Sequence, residues 1–185
     1  MSAVTDRPSV LERSQQRAGE VGAGVYVGLL SLVVLAVSGT IGMLLMTPWL
    51  FPSLGPTVMV LFGTPREKSA RPLDAAVGHA VGIIAGIGCL FLFGMNGKPS
   101  AVEAGLSLGY ILGGALSVAI TAFVLHALKL QHPPAGATTL IISLGVIANP
   151  IGILSMAAAI AFTIVASWGL NALLGERPHG WRGAS

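Results

Sequence analysis

Charge is what this sequence has least of. Lys, Arg, Asp and Glu make up 9% of its 185 residues, where a soluble domain carries about 25%, while 54% of the residues are hydrophobic and mean hydropathy is +0.82. Those figures exclude a soluble globular domain and leave an integral membrane protein. Cysteine is nearly absent too. Cys89, inside an apolar run, can neither close an internal disulfide nor form a metal site by itself, and is expected to serve packing. No Asp, Glu, Lys or Arg lies deep in an apolar run, which disfavours a cation carrier, since such pathways usually hold a carboxylate at membrane depth. Asp74 and Glu103 fall at run ends, as caps or boundary residues. The sequence shows no Ser/His/Asp or Cys/His set, no metal-ligand spacing and no nucleotide loop, so no enzyme, cofactor or metal is expected. The pI near 9.5 does not point to nucleic acid, because the basic residues flank apolar runs and need only orient them.

What the sequence does have is length of apolar chain. Runs at residues 24–47, 75–95, 104–128 and 151–174 each hold about 20 residues or more, enough to cross a hydrocarbon core of about 30 Å as a helix. A shorter stretch lies between the first two runs (49–64) and another between the last two (133–148). Setting FPSLGPTVMVLFG beside HPPAGATTLIISLG aligns Pro52 with Pro133, Gly55 with Gly136 and Thr57 with Thr138, so both read P-x-x-G-x-T followed by apolar residues. The order long, short, long occurs twice.

Charge indicates how the short stretches lie. If both cross and the N-terminus is cytoplasmic, Arg7, Arg13, Arg17, Arg66, Lys68, Arg71, Lys129, Arg177 and Arg182 share the inner side and only Lys98 is outside. If both dip in and return, Arg66, Lys68, Arg71 and Lys129 move out and Lys98 moves in, so the segregation is lost. The expected fold is therefore an all-α polytopic membrane protein with four full transmembrane helices plus two short broken P-x-x-G-x-T segments. That makes six crossings in two inverted repeats, an architecture common among secondary transporters. The expected divisions are a cytoplasmic tail at 1–23, membrane repeats at 24–97 and 98–175, and a second cytoplasmic tail at 176–185. The first tail, with three acidic residues, does not resemble an organelle transit peptide, so a bacterial inner membrane is expected.

A stretch of about 16 residues is too short to span comfortably as helix alone, so part of each must be extended. The prolines bias the chain that way, and helix resumes from Thr57 or Thr138. In the inverted arrangement the two half-helix N-termini meet inside the bilayer, each offering free N–H groups and about half a positive charge. Ser53, Thr57, Thr138 and Thr139 add hydroxyl donors, and Gly55 and Gly136 let backbone approach a ligand. The plain alternative is that such motifs only kink or pack helices. Gly78, Gly82 and Gly86, and likewise Gly105, Gly109 and Gly113, recur every four residues as smooth packing stripes, with self-association as a homo-oligomer an open consequence. His79, His126 and His132 all fall toward the cytoplasmic side, either as hydrogen-bonded packing residues or as a protonatable vestibule that attracts anions or couples transport to H⁺.

The string HPPAGATTLI at 132–141, with FPSLGPTVMVLF before it and the pair Gly78-His79 between, resembles the HPP family of integral membrane proteins. The resemblance runs from about Leu50 to the last apolar run. Family members are usually described with four membrane helices, and plant members are chloroplast nitrite transporters. The resemblance thus implies nitrite or a similar small monovalent anion as substrate, and points by position to Pro52, Ser53, Gly55, His79, His132, Pro133, Pro134, Gly136 and Ala137. The sequence departs from the family pattern at Pro56 and Thr57 and in the segment ARPLD. Alternatives from other classes are a non-transporting membrane scaffold or sensor, and a channel for neutral solutes.

Overall fold

The computed structural model describes residues 8–176, so residues 1–7 of the expected first tail and 177–185 of the second lie outside the described residues. Seven helices follow in order: α1 (Val10–Leu45), α2 (Leu54–Gly63), α3 (Pro72–Leu92), α4 (Ala101–Ala104), α5 (Leu108–Ala127), α6 (Ala135–Ser143) and α7 (Pro150–Leu173). Four of them, α1, α3, α5 and α7, are long and apolar enough to cross a membrane, and α2 and α6 are the two short pieces.

Local chemistry sets the helix ends. Ser9 and Glu12 form a reciprocal capping box at the start of α1, Asn149 caps α7 through Gly152 N–H at 2.7 Å, and Pro72 and Pro150 occupy first-turn positions where no N–H is needed. The described end of the expected first tail is helical from Val10. It is set off from the long part of α1 by non-helical backbone at Ala18 and Gly19, where Gly19 takes φ +57°. The leading turns fold back so closely that a Cβ on Gly22 would lie 2.0 Å from the Ser14 carbonyl oxygen.

The chain ends define one face. Val10 N–H donates to Leu174 O at 3.1 Å, and Ser9 Oγ donates to the buried carboxylate of Glu176. Arg66, just past the end of α2, bridges Glu12 at 2.8 Å and Glu176 at 3.2 Å. The start of α3 and the approach to α6 join the same face: Lys68 Nζ donates to Lys129 O, and Gln131 N–H to Asp74 Oδ2 at 2.9 Å. At the opposite face Ser38 Oγ donates to Trp49 O at 2.8 Å, Ala101 N–H to Leu144 O at 2.9 Å, and Tyr110 OH to Pro99 O at 2.7 Å. Each short segment thus leaves from one face and ends at the other, so the described chain passes between the two faces six times.

Non-helical chain supplies the missing length, at residues 46–53 and 128–134, where turns at both ends flank short irregular pieces at 48–51 and 130–132; helix begins three residues before each motif threonine rather than at it. The first turn of a helix tolerates proline, so Pro56 sits inside α2 and Pro134 directly before α6.

Packing pairs α1 with α2 and α5 with α6. The first pair lies on α7, the second on α3, and α3 meets α7. Most of the exposed surface of the long helices is apolar, as at Val25, Leu29, Leu32, Ile111, Phe123 and Val165, while Ser38, Ser117, Thr121, Thr163, Ser167 and Asn171 are buried. That distribution suits a lipid surround.

The stripe Gly78, Gly82, Gly86 is the closest packing surface. A Cβ at Gly82 would lie 2.8 Å from Ala135 O, and one at Gly86 2.9 Å from Thr139 O, so α6 sits directly on the α3 backbone. The second stripe does not hold as one face. Gly105 lies between α4 and α5 with φ +82°, Gly109 meets the Met95 side chain, and Gly113 meets the Phe93 ring, with Cys89 O of α3 farther off at 3.7 Å. Cys89 is buried in α3 and packs as expected.

Gly82→Ala should therefore destabilise the detergent-solubilised protein by about 1–3 kcal/mol through overpacking. Gly88→Ala, at a helical position with nothing within 4 Å of an added Cβ, should be neutral or stabilising. Thermal unfolding of the two variants side by side checks the difference.

Candidate functional site between the two short helices

Polar side chains sealed inside a membrane protein need partners within it, and the two motif threonines find the same one. Thr57 is the fourth residue of α2 and Thr138 the fourth of α6. Between them stands the imidazole of His79, in α3. Thr57 Oγ1 lies 3.1 Å from Nε2 and Thr138 Oγ1 lies 2.8 Å from Nδ1. The ring of His132 packs edge-on against His79, with centroids 4.9 Å apart and the two Nε2 atoms at 3.1 Å. Its Nδ1 reaches Ser69 O at 2.9 Å. All four side chains are 1% exposed or less.

The geometry fixes the protons when both rings are neutral. A carbonyl oxygen only accepts, so His132 carries its proton on Nδ1 and presents a lone pair at Nε2. His79 must then donate from Nε2, and its Nδ1 accepts from the Thr138 hydroxyl. Thr57 agrees: its hydroxyl donates to Ser53 O at 2.7 Å, leaving its oxygen to share the His79 N–H. Every polar atom of the chain Ser69, His132, His79, Thr138 is satisfied by one tautomer arrangement.

The remaining expected residues divide into three groups. Pro133, Gly136 and His132 line a cavity of about 480 Å³ at the face that holds the chain ends, together with Thr121, His126 and Glu67. Exposed His126 shares that cavity and does not touch the His79–His132 pair. Thr139 turns away from the pair toward α5, donating to Ala135 O at 3.0 Å and lying 3.0 Å from Thr121 Oγ1. Ser53 is fully buried at the tip of α2, and its hydroxyl has no hydrogen-bond partner in the structure. Gly55 and Gly136 both have open space where a side chain would stand.

Two expectations change here. The gap between the half-helix tips is not vacant; His79 fills it, which motif spacing alone could not reveal because the residue comes from a third helix. Nor are the first N–H groups of α6 free. Ala135, Gly136 and Ala137 close tight turns onto the carbonyls of His132, Pro133 and Pro134 at 3.1 Å each, so α6 contributes its dipole more than bare donors. Sequence reading placed Thr121 and Ser69 nowhere near the site; neither residue carries a motif.

A family model described as HPP, transmembrane region, matches residues 14–179. The chain belongs to the HPP transmembrane family. No curated protein and no solved structure matches it. Membership makes the chain an integral membrane protein related to transport. The His-Pro-Pro string of this HPP protein, His132 to Pro134, supplies one of the paired rings, two cavity-lining residues and the residue preceding α6.

Replacing Thr138 by Val removes the donor to His79 Nδ1 and strands a buried ring nitrogen, at a cost of about 1–3 kcal/mol. Thr138→Ser keeps the donor. A lower melting temperature for the Val variant than for the Ser variant, measured in the same detergent, is the expected result.

Proposed function

We propose that this protein carries a small monovalent anion, nitrite first among candidates, across a bacterial inner membrane, with both termini cytoplasmic and without covalent chemistry. The observation that carries the reading is the convergence of two oppositely directed half-helix tips on one buried imidazole, in an interior that holds no carboxylate beside it. The matched motifs and the exchange of helix pairs, α1 and α2 on α7 and α5 and α6 on α3, favour two inverted repeats. Under that symmetry both positive dipole ends point inward, which suits an anion and repels a cation.

Several unspent groups mark where the ion is held. The cavity reaches His132 and Gly136 from the chain-end face, and the Ser53 hydroxyl waits unpaired at the tip of α2. Asp74, the nearest buried acid, is engaged by Gln131 N–H and stays at that face. Nitrite comes from the family resemblance, whereas the sign and small size of the ion come from the dipoles and hydroxyls.

Gly136→Leu tests the site directly, because the added side chain meets nothing within 4 Å of its Cβ and would project into the cavity. In proteoliposomes, nitrite flux should fall by about tenfold or more, a barrier increase of about 1.4 kcal/mol, with the melting temperature unchanged. A panel of nitrite, nitrate, formate, chloride and sulfate ranks the substrates. Full flux through a folded Gly136→Leu protein would favour a scaffold or sensor in which the motifs only shape helices.

A further inference from the structure

The two buried rings have a property the anion reading does not use: they can take up one more proton with every ring N–H still donating. We propose that the His79–His132 pair binds a single H⁺ together with each anion, so that transport is one-to-one electroneutral symport. This rests on the anion reading above and adds its coupling ion.

In the neutral chain His132 Nδ1–H donates to Ser69 O, His79 Nε2–H to His132 Nε2, and Thr138 Oγ1–H to His79 Nδ1. When one proton is gained, the Nε2–H of His79 shifts across the 3.1 Å bridge to His132 Nε2, and His79 Nδ1 holds the proton that has been added. The bridge then runs the other way. His79 Nδ1–H donates to Thr138 Oγ1, and the hydroxyl hydrogen of Thr138 is released from His79 and free to donate to a bound anion. Every ring N–H keeps a partner in both states, and the pair gains one positive charge.

The fixed counter-charge nearest the pair is the buried carboxylate of Asp74, which acts on His132 from the chain-end face. Neither ring is hydrogen-bonded to a carboxylate. α2 presents only Ser53 and Thr57, α6 presents Thr138, and α7 faces His79 across a cavity of about 140 Å³ through Ile160, Ala161 and Ile164. α5 brings His126 to the near-face cavity, with Glu67 at its rim. Asp74 is held by Gln131, and Lys68 by Lys129 O, at the same face. With that carboxylate already engaged by Gln131 N–H, an imidazolium buried among hydroxyls and aliphatic side chains is better compensated when an anion binds beside it, and an anion there is best compensated when the pair is charged. Proton and anion therefore favour each other's entry, with the cavity at His132 as the way in.

The full chain in liposomes, with nitrite as probe and protein-free liposomes as the leak control, tests this. Initial nitrite uptake should rise several-fold when the outside is made more acidic, and should not respond to a potassium-diffusion voltage of either sign. His79→Gln that elutes and melts as a folded protein should lose the pH-driven component. His132→Asn, whose amide can still donate to Ser69, carries the same comparison if His79→Gln does not fold. Uptake that follows voltage and ignores pH overturns the coupling and leaves anion transport standing. Uptake no greater than the leak under every gradient overturns both. A folded His79→Gln protein with wild-type pH-driven uptake removes the proton from this pair.

Discussion

Inside hydrocarbon a polar group that lacks a partner has no water to turn to, and the interior of this chain is arranged around meeting that constraint at one ring. His79 enters from α3, a continuous helix, while the groups that hold it come from the two places where helices are broken. Thr57 belongs to the tip of α2, Thr138 to the tip of α6, and His132 to the non-helical approach to α6. Breaking a membrane helix exposes backbone. Both breaks are tolerated because the residues next to the tips, Phe51, Ser53, His132 and Pro134, are buried and the tips share a partner. The imidazole is suited to this, since it donates at one nitrogen and accepts at the other and so joins two hydroxyls of opposite role.

The two halves solve the same problem with different means. α6 lies on a glycine stripe of α3, close enough that Gly82 and Gly86 touch its backbone and its threonines. α2 has no such stripe against it. It is tied to α7 by a polar relay, Tyr26 OH to Asn171 Oδ1 at 2.9 Å and Asn171 Nδ2 to Leu61 O at 2.8 Å. Hydrogen bonds at one end fix the C-terminal turn of α2 and leave its tip less crowded, which is where the unpaired Ser53 hydroxyl and the open space beside Gly55 are found. α6 is held by close backbone contact with α3, whereas α2 is held by this relay at its base, by Thr57 on His79 and by Leu54 and Val58 in the core.

How much of this was legible depended on the range of the signal. The four long spans follow from apolar run length, and the six crossings from the position of Lys98 against every other basic residue; both are one-dimensional properties. The paired motifs located the breaks and supplied Thr57, Thr138 and His132. The contact of His79 with all three was not legible, because nothing in the spacing of Gly78-His79 says which face of α3 meets which tip. The glycine stripe held the clue: residues 78, 82 and 86 mark the face that α6 covers, and His79 is one residue around from it. Thr139 misled for the same reason. It sits beside Thr138 in the motif, yet the 100° step of a helix turns it toward Thr121 on α5. The second glycine series failed because a turn at Gly105 interrupts the helix, and a four-residue spacing means one face only while the helix is continuous.

On the proposed reading, the lack of a fixed cation beside His79 also bears on which anion fits. Two helix tips contribute about half a positive charge each, together close to one unit, and the hydroxyls add dipoles but no net charge. A monovalent ion brought there is compensated to about the right degree. Sulfate would arrive with twice the charge and a hydration shell that a handful of hydroxyls cannot replace, and a buried Lys or Arg strong enough to hold it is absent from the neighbourhood of His79. On the proposed reading, a weakly hydrated monovalent anion is the ion that such a site suits best. A stronger fixed cation would bind the ion more tightly and release it more slowly, so a site made of partial charges is the better arrangement for an ion that must pass through.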